Sequence, residues 1–345
     1  MKIGNFDFES NNKTFIVAEL SCNHKQDLDI AIKTIRAIKE SGADAVKIQT
    51  YTPDTITINC NNEHFKINEG LWKGRTLYDL YKEAYTPWDW HETIFKVAKE
   101  ENLICFSSPF DKTAVDFLEN YNTPAYKIAS FEIKDIPLIE YVASKGKPII
   151  ISTGIAEYGD IALAVDTCRK VSNNNIILLK CTSAYPAPIS EANLATIPSM
   201  KKNFNVEVGL SDHTLGIIAP IVSISLGARL IEKHFILDKA IGGPDVAFSL
   251  DKNEFTKMVM AVREAEKAIG TVNFNPTESV KSNIKFSRSL FVTKNVKAGE
   301  IFTPENVRSI RPGYGLPPKE LPNVLNKRAS KDITMGTPLS WDLIQ

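Results

Sequence analysis

The chain has 345 residues, 43% of them hydrophobic, and its 41 Lys and Arg residues balance 41 Asp and Glu residues. This length and apolar content allow a sizeable core and exceed what one ordinary domain needs, so we expect two domains. Because the charges balance, no overall field would gather nucleic acid or an anionic membrane, and a small-molecule partner is favoured.

The N-terminal stretch MKIGNFDFESNN has no apolar signal core. The longest apolar run, GIIAPIVSISLGA, is interrupted by Pro220 and serines and is too short to cross a bilayer. The five cysteines form no CxxC pair, which indicates reduced thiols rather than a disulfide framework or a zinc site. We therefore expect a cytoplasmic protein with Cys105 and Cys181 in its core.

Residues 14–270 alternate short apolar runs with segments of helical period. The predicted strands are FIVAEL, AVKIQT, ICFSSP, AYKIAS, PIIIST, IILLKC, VEVGLS and LIEKHF. Between them, DLDIAIKTIRAIKESG predicts an amphipathic helix capped by Gly42, and DKTAVDFLENY predicts a helix with Asp111 as N-cap. Eight such units over about 250 residues predict an α/β fold, a (β/α)8 TIM barrel. No GxGxxG motif follows a strand, which argues against a dinucleotide-binding fold.

Polar residues stand at the end of every predicted strand. The set comprises Glu19, Lys47, Gln49, Ser107, Ser108, Lys127, Ser130, Ser152, Thr153, Thr182, Ser183, Ser211, Asp212, His213, Glu232 and His234. In TIM barrels the carboxyl ends of the strands share one mouth, where catalytic groups gather. One polar strand end is ordinary for a turn, but eight in succession predict a polar pocket.

The spacing of some of these residues indicates which way they point. Three pairs lie two residues apart on one strand: Lys47 with Gln49, Ser211 with His213, and Glu232 with His234. Because side chains alternate along a strand, both members of a pair face the same side of the barrel wall. A single histidine there is more often a hydrogen-bonded core residue, but two on neighbouring strands favour a functional site.

The pattern changes after residue 270. Residues 271–284 are polar and without a clear period, which predicts a linker, and residues 285–345 contain short strand and turn patterns. GEIFTPENV (299–307) and GTPLSWDLI (336–344) form a weak internal repeat, which suggests a compact pseudo-symmetric β module. Between them, RPGYGLPP is rich in glycine and proline and predicts an exposed loop with a restrained backbone. Arg311 in this loop is either held rigidly for a function or is an ordinary solvated arginine of a surface turn.

Ten motifs in chain order resemble the sialic acid synthase family. They are FIVAELSCNH, VKIQT, FSSPFD, AYKIASFE, IISTG, KCTSAYPAP, GLSDHT, EKHF, GGPD and RPGYG. Within the family, AELSCNH and GLWKGRTLYDLYKEAYTPWDWH are most similar to the branch that makes pseudaminic acid. The resemblance implies a (β/α)8 barrel (1–270), a linker (271–284) and a small antifreeze-like SAF, or β-clip, domain (285–345). It also implies a homodimer in which this domain covers the partner subunit's barrel mouth.

The resemblance implies a reaction in which phosphoenolpyruvate condenses with an open-chain amino sugar and phosphate leaves by carbon–oxygen cleavage. The implied phosphoenolpyruvate ligands are Lys47, Ser108, Lys127, Ser130, Ser152, Ser183 and Ser211. Neuraminic acid synthases carry asparagine where this chain has Ser183. The implied sugar ligands are Gln49, Tyr185, Asp245 and Arg311. Cations and hydroxyl donors suit a substrate that carries a carboxylate and a phosphate.

A divalent cation, Mn²⁺, Mg²⁺ or Co²⁺, is implied on His213 and His234, with positions left open for water and substrate. By resemblance Glu132 is the carboxylate beside the aldehyde, where it would exchange a proton with the aldehyde oxygen or with water. Glu19 is a candidate for holding a metal-bound water, and His234 counts as catalytic through the metal. The family gives Glu232 no clear role, so we interpret it as part of a structural salt bridge.

Three alternatives stay open at this point. The first is a synthase for legionaminic or N-acetylneuraminic acid. The second is a 3-deoxy-sugar acid synthase acting on phosphorylated aldoses, which would need a second phosphate site, but no further arginine cluster is present. The third is a carbohydrate- or ice-binding tail on an inactive barrel. The intact set of Lys47, Lys127, Glu132, His213 and His234 argues against this last alternative.

Overall fold

A computed structural model describes residues 1–345 in two compact units, Met1–Gly270 and Thr271–Gln345. Each helix falls short of the length or apolar character that a membrane crossing requires. In the first unit eight parallel strands close into a barrel in the order β10, β3, β4, β5, β6, β7, β8, β9. These strands are β3 (Phe15–Glu19), β4 (Ala45–Thr50), β5 (Ile104–Pro109), β6 (Tyr126–Ile128), β7 (Ile149–Ser152), β8 (Ile176–Cys181), β9 (Glu207–Asp212) and β10 (Leu230–His234). The predicted (β/α)8 barrel is confirmed.

Helices connect the barrel strands. They are α1 (Leu28–Glu40), α2 (Pro53–Ile56), α3 (Leu77–Ala84), α4 (His91–Glu100), α5 (Lys112–Glu119), α6 (Ile136–Ala143), α7 (Tyr158–Lys170), α8 (Thr196–Phe204), α9 (Ile218–Ser225) and α10 (Lys252–Ile269). The predicted caps are confirmed. The Asp111 side chain accepts hydrogen bonds from the first amides of α5, and Gly42, just beyond α1, has a φ of +83°, where glycine avoids a steric cost.

The two ends of the barrel differ in character. At the amino ends of the strands, an N-terminal hairpin of β1 (Lys2–Ile3) and β2 (Phe6–Asp7) brings aromatic rings against Phe15. Hairpin and barrel residues together form one buried apolar cluster at this end, which comprises Ile3, Phe6, Phe8, Phe15, Val17, Ala45, Phe106, Ala125, Ile150, Ile177, Leu179 and Leu230. The hairpin was not predicted. Side chains two residues apart lie on the same face of a strand. The polar residues further along these inward faces therefore lie at the opposite end of the barrel, where the strands have their carboxyl ends.

The second unit is a small β module. It contains α11 (Glu278–Lys281), an antiparallel pair of β11 (Ser289–Val292) and β12 (Val307–Ile310), and α12 (Leu321–Val324). The two repeated segments have matching conformations: Gly299 and Gly336 have φ values of +80° and +87°, and Phe302 and Leu339 are both fully buried. Residues 271–284, the predicted linker, are exposed and include the short α11.

Candidate active site

A cavity of about 520 Å³ lies at the carboxyl ends of the barrel strands. The predicted residues that line it are Lys47, Gln49, Lys127, Ser130, Glu132, Ser152, Tyr185, Ser211, His213, Glu232, His234 and Asp245. Ser108 and Glu19 lie just behind this lining, where each contacts the Lys47 ammonium group. The structure therefore brings the predicted barrel residues together in one place.

The expectation that every polar strand end faces this pocket is wrong for five residues. Ser183 does not line the cavity, and its hydroxyl lies 3.9 Å from Cys181 Sγ. The other four are Ser107, Thr153, Thr182 and Asp212, which do not line the cavity and already have partners elsewhere. Asp212, for example, forms a buried ion pair with Lys233 on the outer face of the barrel wall. Polarity at a strand end does not fix direction, because alternate residues point to opposite faces.

Two buried lysines share one carboxylate at the base of the cavity. Glu232 Oε1 lies 3.1 Å from Lys47 Nζ and 3.5 Å from Lys127 Nζ, and it accepts a 3.1 Å hydrogen bond from Ser211. Burial alone would raise the pKa of Glu232, but the charges of Lys127 and Lys47 lower it below its ordinary value. Burial lowers the pKa of Lys127, whereas Glu19 and Glu232 outweigh burial and raise that of Lys47. The salt-bridge interpretation of Glu232 agrees with this geometry.

Serine hydroxyls crowd around Gly154 beside the two lysines. The Gly154 amide donates to Ser130 Oγ at 3.1 Å, and the buried Ser152 Oγ has no hydrogen-bond partner. A Cβ on Gly154 would lie 2.0 Å from Ser183 Oγ and 2.7 Å from Ser130 Oγ, so any larger residue here would displace both hydroxyl groups. Hydroxyl groups gathered next to buried cations form a suitable cradle for an anion.

Glu132 follows β6 in a single 3-10 turn, Ser130–Glu132, which also explains why β6 is shorter than predicted. Its Oε2 atom is buried without a hydrogen-bond partner. Burial raises the pKa of this carboxyl to about 7, although the charge of Lys127 opposes the shift. A carboxyl with this pKa exchanges protons readily near neutral pH, as a general acid or base must.

The two predicted histidines are neighbours, with ring centroids 5.3 Å apart. His213 Nδ1 lies 3.1 Å from the Thr182 carbonyl oxygen, which fits an N–H donor there and leaves Nε2 as the free nitrogen. His234 Nδ1 lies 3.4 Å from Asp245 Oδ2. The structure groups no set of three His, Cys, Asp or Glu side chains that would hold a metal. The two imidazoles would therefore be only part of a cation's ligand set, with the remaining positions left to water or substrate.

The two cysteines predicted in the core are both buried, but they differ in surroundings. Cys105 lies in the apolar layer outside the strands, and burial raises the pKa of its thiol. Cys181 Sγ lies 3.7 Å from His213 Nδ1. Burial would raise the pKa of the Cys181 thiol, but the hydrogen bond to His213 lowers it to about 7. Cys181 is thus part of the surroundings of His213 as well as of the core.

Ser21 also lines the cavity, although it was not predicted as a site residue. Its hydroxyl donates to Asp245 Oδ2 at 2.6 Å and accepts from Gln49 Nε2 at 3.0 Å. Gln49 Nε2 also donates to Glu19 Oε1 at 3.0 Å. The available signal was its position two residues after Glu19, immediately beyond the predicted strand FIVAEL.

One side of the cavity is an apolar wall, which was likewise missed. We define this apolar wall as Ile56, Ile67, Trp72, Leu77, Leu80, Tyr81 and Phe110. Trp72 Nε1 donates to the Pro244 carbonyl oxygen at 3.2 Å, and its ring lies 5.7 Å from that of Tyr185. Most of the wall comes from the long connection between β4 and α4, where no strand-end pattern marks residues that face the site.

Arg311 belongs to the second unit, where it is exposed. The loop that carries it is held by hydrogen bonds from Gly313 N to Lys285 O at 2.9 Å and from Gly315 N to Ser289 Oγ at 2.9 Å. A Cβ on Gly315 would lie 2.2 Å from the Leu290 carbonyl oxygen, so glycine is required there. The loop is restrained and exposed, as predicted.

Comparison with known proteins gives matches along nearly the whole chain. Residues 34–274 match the NeuB family model and residues 287–345 the SAF domain model. The chain is 50% identical to a pseudaminic acid synthase of Campylobacter jejuni strain 81-176, over 98% of both chains. It is 48% identical to that of Helicobacter pylori, over 96% of this chain and 97% of the relative.

More distant relatives share the same architecture. An N,N'-diacetyllegionaminic acid synthase of Legionella pneumophila is 33% identical over 96% of this chain and 94% of the relative. The crystal structure of an N-acetylneuraminic acid (sialic acid) synthetase from Leptospira borgpetersenii, in complex with citrate, has a TM-score of 0.72 at 30% identity. That match covers 82% of this chain and 94% of the other.

Proposed function

The chain belongs to the NeuB family, and from this premise we propose that it is a transferase that makes pseudaminic acid. Its substrates are phosphoenolpyruvate, water and 2,4-diacetamido-2,4,6-trideoxy-β-L-altropyranose in the open-chain aldehyde form. Its products are pseudaminic acid and phosphate. The observation that carries the reaction class is one cavity that holds two buried lysines and a carboxyl whose pKa is about 7. Sequence identities of 50% and 48% to pseudaminic acid synthases, over nearly the full length of the chain, support this particular sugar.

Phosphoenolpyruvate binds at the base of the cavity in this proposal. Its ligands are Lys47, Ser108, Lys127, Ser130, Ser152, Ser183 and Ser211. Lys47 and Lys127 supply the positive charge, and the serine hydroxyl groups around Gly154 supply hydrogen-bond donors. The unpartnered Ser152 hydroxyl is then satisfied by substrate. Glu232 keeps the two ammonium groups in place when the site is empty.

The bond-forming step joins the third carbon of phosphoenolpyruvate to the sugar aldehyde carbon. Glu132 donates a proton to the aldehyde oxygen as it becomes a hydroxyl, and positive charge develops on the second carbon of phosphoenolpyruvate. Water ordered by Glu19 adds to that carbon and gives a proton to the Glu132 carboxylate, which restores the acid. In the tetrahedral intermediate, the bond between the second carbon and the phosphate oxygen then breaks while the new hydroxyl group loses its proton. The departing phosphate takes up this proton, and water's oxygen stays on the sugar acid as its keto oxygen.

His213 and His234 would hold a divalent cation, namely Mn²⁺, Mg²⁺ or Co²⁺. Bound there, the cation supplies a Lewis acid for the aldehyde oxygen, an effect worth several kcal/mol in the transition state. The chain's own part is to orient the two rings. The Thr182 carbonyl oxygen would fix the His213 ring through its Nδ1 atom. Asp245 Oδ2 lies 3.4 Å from His234 Nδ1 without a hydrogen bond, so it would act on this ring through its charge.

The sugar occupies the rest of the cavity, against Gln49, Tyr185 and Asp245. These groups provide donors and acceptors for its hydroxyl and amide groups. The apolar wall suits the methyl groups of a 6-deoxy sugar with two acetamido substituents, because burying methyl groups against hydrocarbon is favourable. A sugar with a free hydroxyl at carbon 6 would leave that hydroxyl without a partner at the wall.

A homodimer completes the proposed enzyme, with the SAF domain of each chain over the barrel mouth of its partner. Arg311 would reach the sugar from the partner subunit. A planar guanidinium on a fixed backbone is suited to orient an acetamido carbonyl.

An isotope experiment tests the reaction. The purified protein with a divalent cation is incubated with phosphoenolpyruvate and the proposed sugar in oxygen-18 water, and products are followed by mass spectrometry. We expect pseudaminic acid that contains the label and phosphate that does not. Labelled phosphate would contradict carbon–oxygen cleavage. Faster turnover of the legionaminic acid precursor or of N-acetylmannosamine in parallel assays would reassign the sugar.

A further inference from the structure

We infer that Ser21 is a positioning residue, whose hydroxyl holds Asp245 and Gln49 in the geometry that the sugar requires. The hydrogen bonds of Ser21 are direct observations, and their link to the sugar rests on the proposed function. Ser21 follows β3, which ends at Glu19, and its side chain is buried at the edge of the cavity.

The backbone of Ser21 is strained. Its φ is +48°, in the left-handed region, where a residue with a Cβ pays a steric cost that glycine avoids. Left-handed conformations of non-glycine residues persist where the surroundings enforce them, and they cluster at functional sites. If the turn after β3 served only to change chain direction, glycine would serve better. The side chain of Ser21 must therefore contribute something that offsets this cost.

The hydroxyl of Ser21 bridges two groups that come from different parts of the fold. It donates to Asp245 in the loop after β10 and accepts from Gln49 at the end of β4. A serine hydroxyl has one proton to donate, and the carboxylate receives it. Gln49 in turn reaches Glu19, and Asp245 faces His234. Ser21 thus joins the carboxylate that lies beside His234 to the amide that donates to Glu19.

The segment after β3 is attached to the segment after β10 by a second residue besides Ser21. Asn23, two residues away, donates to Phe235 O at 2.9 Å and to Ser249 Oγ at 2.8 Å, and it does not line the cavity. Because the hydrogen bonds of Asn23 already connect the segments after β3 and β10, removal of the Ser21 hydroxyl should leave the fold intact. Its effect should be confined to the orientation of Asp245 and Gln49.

The test compares Ser21→Gly with Ser21→Ala in the full-length protein. Ser21→Gly removes the hydroxyl and relieves the backbone, so its melting temperature should equal or exceed that of the unaltered protein. Its kcat/KM for the sugar should nevertheless fall about 10- to 100-fold, the loss typical of a hydrogen bond to a charged group. The KM for phosphoenolpyruvate should stay within about twofold, because Ser21 contacts none of the proposed phosphoenolpyruvate ligands.

Ser21→Ala separates the two effects, because it removes the hydroxyl and keeps the strained Cβ. It should lose as much activity as Ser21→Gly and melt at a lower temperature. Ser21→Thr, which retains a hydroxyl, should regain part of the activity lost in Ser21→Ala. If Ser21→Gly retained the original kcat/KM for the sugar, or lost activity only together with stability, the inference would be overturned.

Failure of the proposed function can be told apart from failure of this inference. If the unaltered protein turned over none of the candidate sugars, the proposed function would be at fault. Crystal structures of the unaltered protein and of Ser21→Gly would then still decide the role of Ser21. We expect the Asp245 carboxylate and the Gln49 amide to change position in the variant. Unchanged positions of both groups would refute the inference.

Discussion

The ammonium group of Lys47 lies 3.1 Å from a carboxylate oxygen of Glu232, and both side chains are buried at the base of the cavity. The same oxygen lies 3.5 Å from Lys127. Glu232→Gln would leave two buried ammonium groups with too little compensating charge. We expect unfolding in denaturant to show a loss of roughly 3 kcal/mol, as for a broken buried ion pair.

Phosphoenolpyruvate should restore part of the stability lost in Glu232→Gln, because its anionic groups supply the missing negative charge. The gain in melting temperature on addition of phosphoenolpyruvate should therefore be larger in the variant than in the unaltered protein. Glu207→Gln is the control, since the Lys201–Glu207 pair is partly exposed to solvent and should contribute less than about 1 kcal/mol. Equal effects of the two substitutions would contradict the importance of the buried pair.

Glu132→Gln should separate activity from stability. The variant keeps the shape of the side chain but cannot ionise, so kcat should fall by roughly 10²- to 10⁴-fold if Glu132 transfers a proton. The folded-state pKa of about 7 exceeds the ordinary value of 4.5, so ionisation of this carboxyl opposes folding. The penalty is absent below pH 4.5, grows as pH rises, and is complete above pH 7.

The variant should therefore be more stable than the unaltered protein at pH 8, by roughly 2 to 3 kcal/mol, and no more stable at pH 4. Denaturant unfolding of the ligand-free protein at the two pH values measures this difference. Glu140→Gln, on the exposed face of α6, should change neither activity nor the pH dependence of stability. A near-normal kcat for Glu132→Gln would show that the carboxylate is not needed for proton transfer.

Eight apolar runs alternating with helical segments were enough to predict the barrel, and strand-end polarity with side-chain parity predicted much of its cavity. Lys47 and Gln49 both face inward, and so do Glu232 and His234, because residues two apart on a strand point to the same side of the barrel wall. The same rule could have assigned Asp212 to the outside, since it lies between Ser211 and His213. Trp72 could not be predicted, because its long connection has no period and its contact with Pro244 spans 172 residues of chain. Ser21 could be suspected only from its spacing to Glu19.

His213→Ala and His234→Ala should each abolish metal binding and leave the fold intact. In each variant one of the two imidazoles proposed to hold the cation is missing. Metal content after dialysis and far-ultraviolet circular dichroism measure the two properties. His64→Ala removes an exposed histidine outside the cavity and should retain metal. Chelation should stop turnover by the unaltered protein, and full activity in a demonstrably metal-free preparation would rule out the metal assignment.

Trp72→Ala should weaken discrimination between sugars that differ at carbon 6. The ratio of kcat/KM for the 6-deoxy sugar to that for a 6-hydroxy analogue should fall by roughly tenfold, the scale of one apolar group in a pocket. Trp72→Phe keeps most of the apolar surface and loses only the hydrogen bond to Pro244, so it should retain more selectivity. Leu71→Ala is the control, because Leu71 is in the same loop but exposed. An unchanged ratio in Trp72→Ala would remove the apolar wall from sugar selection.

Subunit mixing tests whether Arg311 acts on the active site of the partner subunit. Arg311→Ala and His234→Ala chains should each be nearly inactive alone, because one lacks the proposed contact with the sugar and the other lacks a proposed metal ligand. Arg308→Ala, which changes an exposed arginine on β12, should remain active. Deletion of residues 271–345 should also abolish turnover, although the proposed phosphoenolpyruvate and metal ligands lie in the first unit.

Co-refolding the two inactive chains distinguishes action across the interface from action within one chain. In a heterodimer, the barrel of the Arg311→Ala chain has an intact His234, and its partner supplies an intact Arg311. One of the two sites is then complete if Arg311 acts across the interface, and neither is complete if it acts within its own chain. We expect activity to return in proportion to the fraction of heterodimer measured by native mass spectrometry. If heterodimers form and remain inactive, Arg311 does not contribute to the partner's site, and the purpose of its restrained loop must lie within its own subunit.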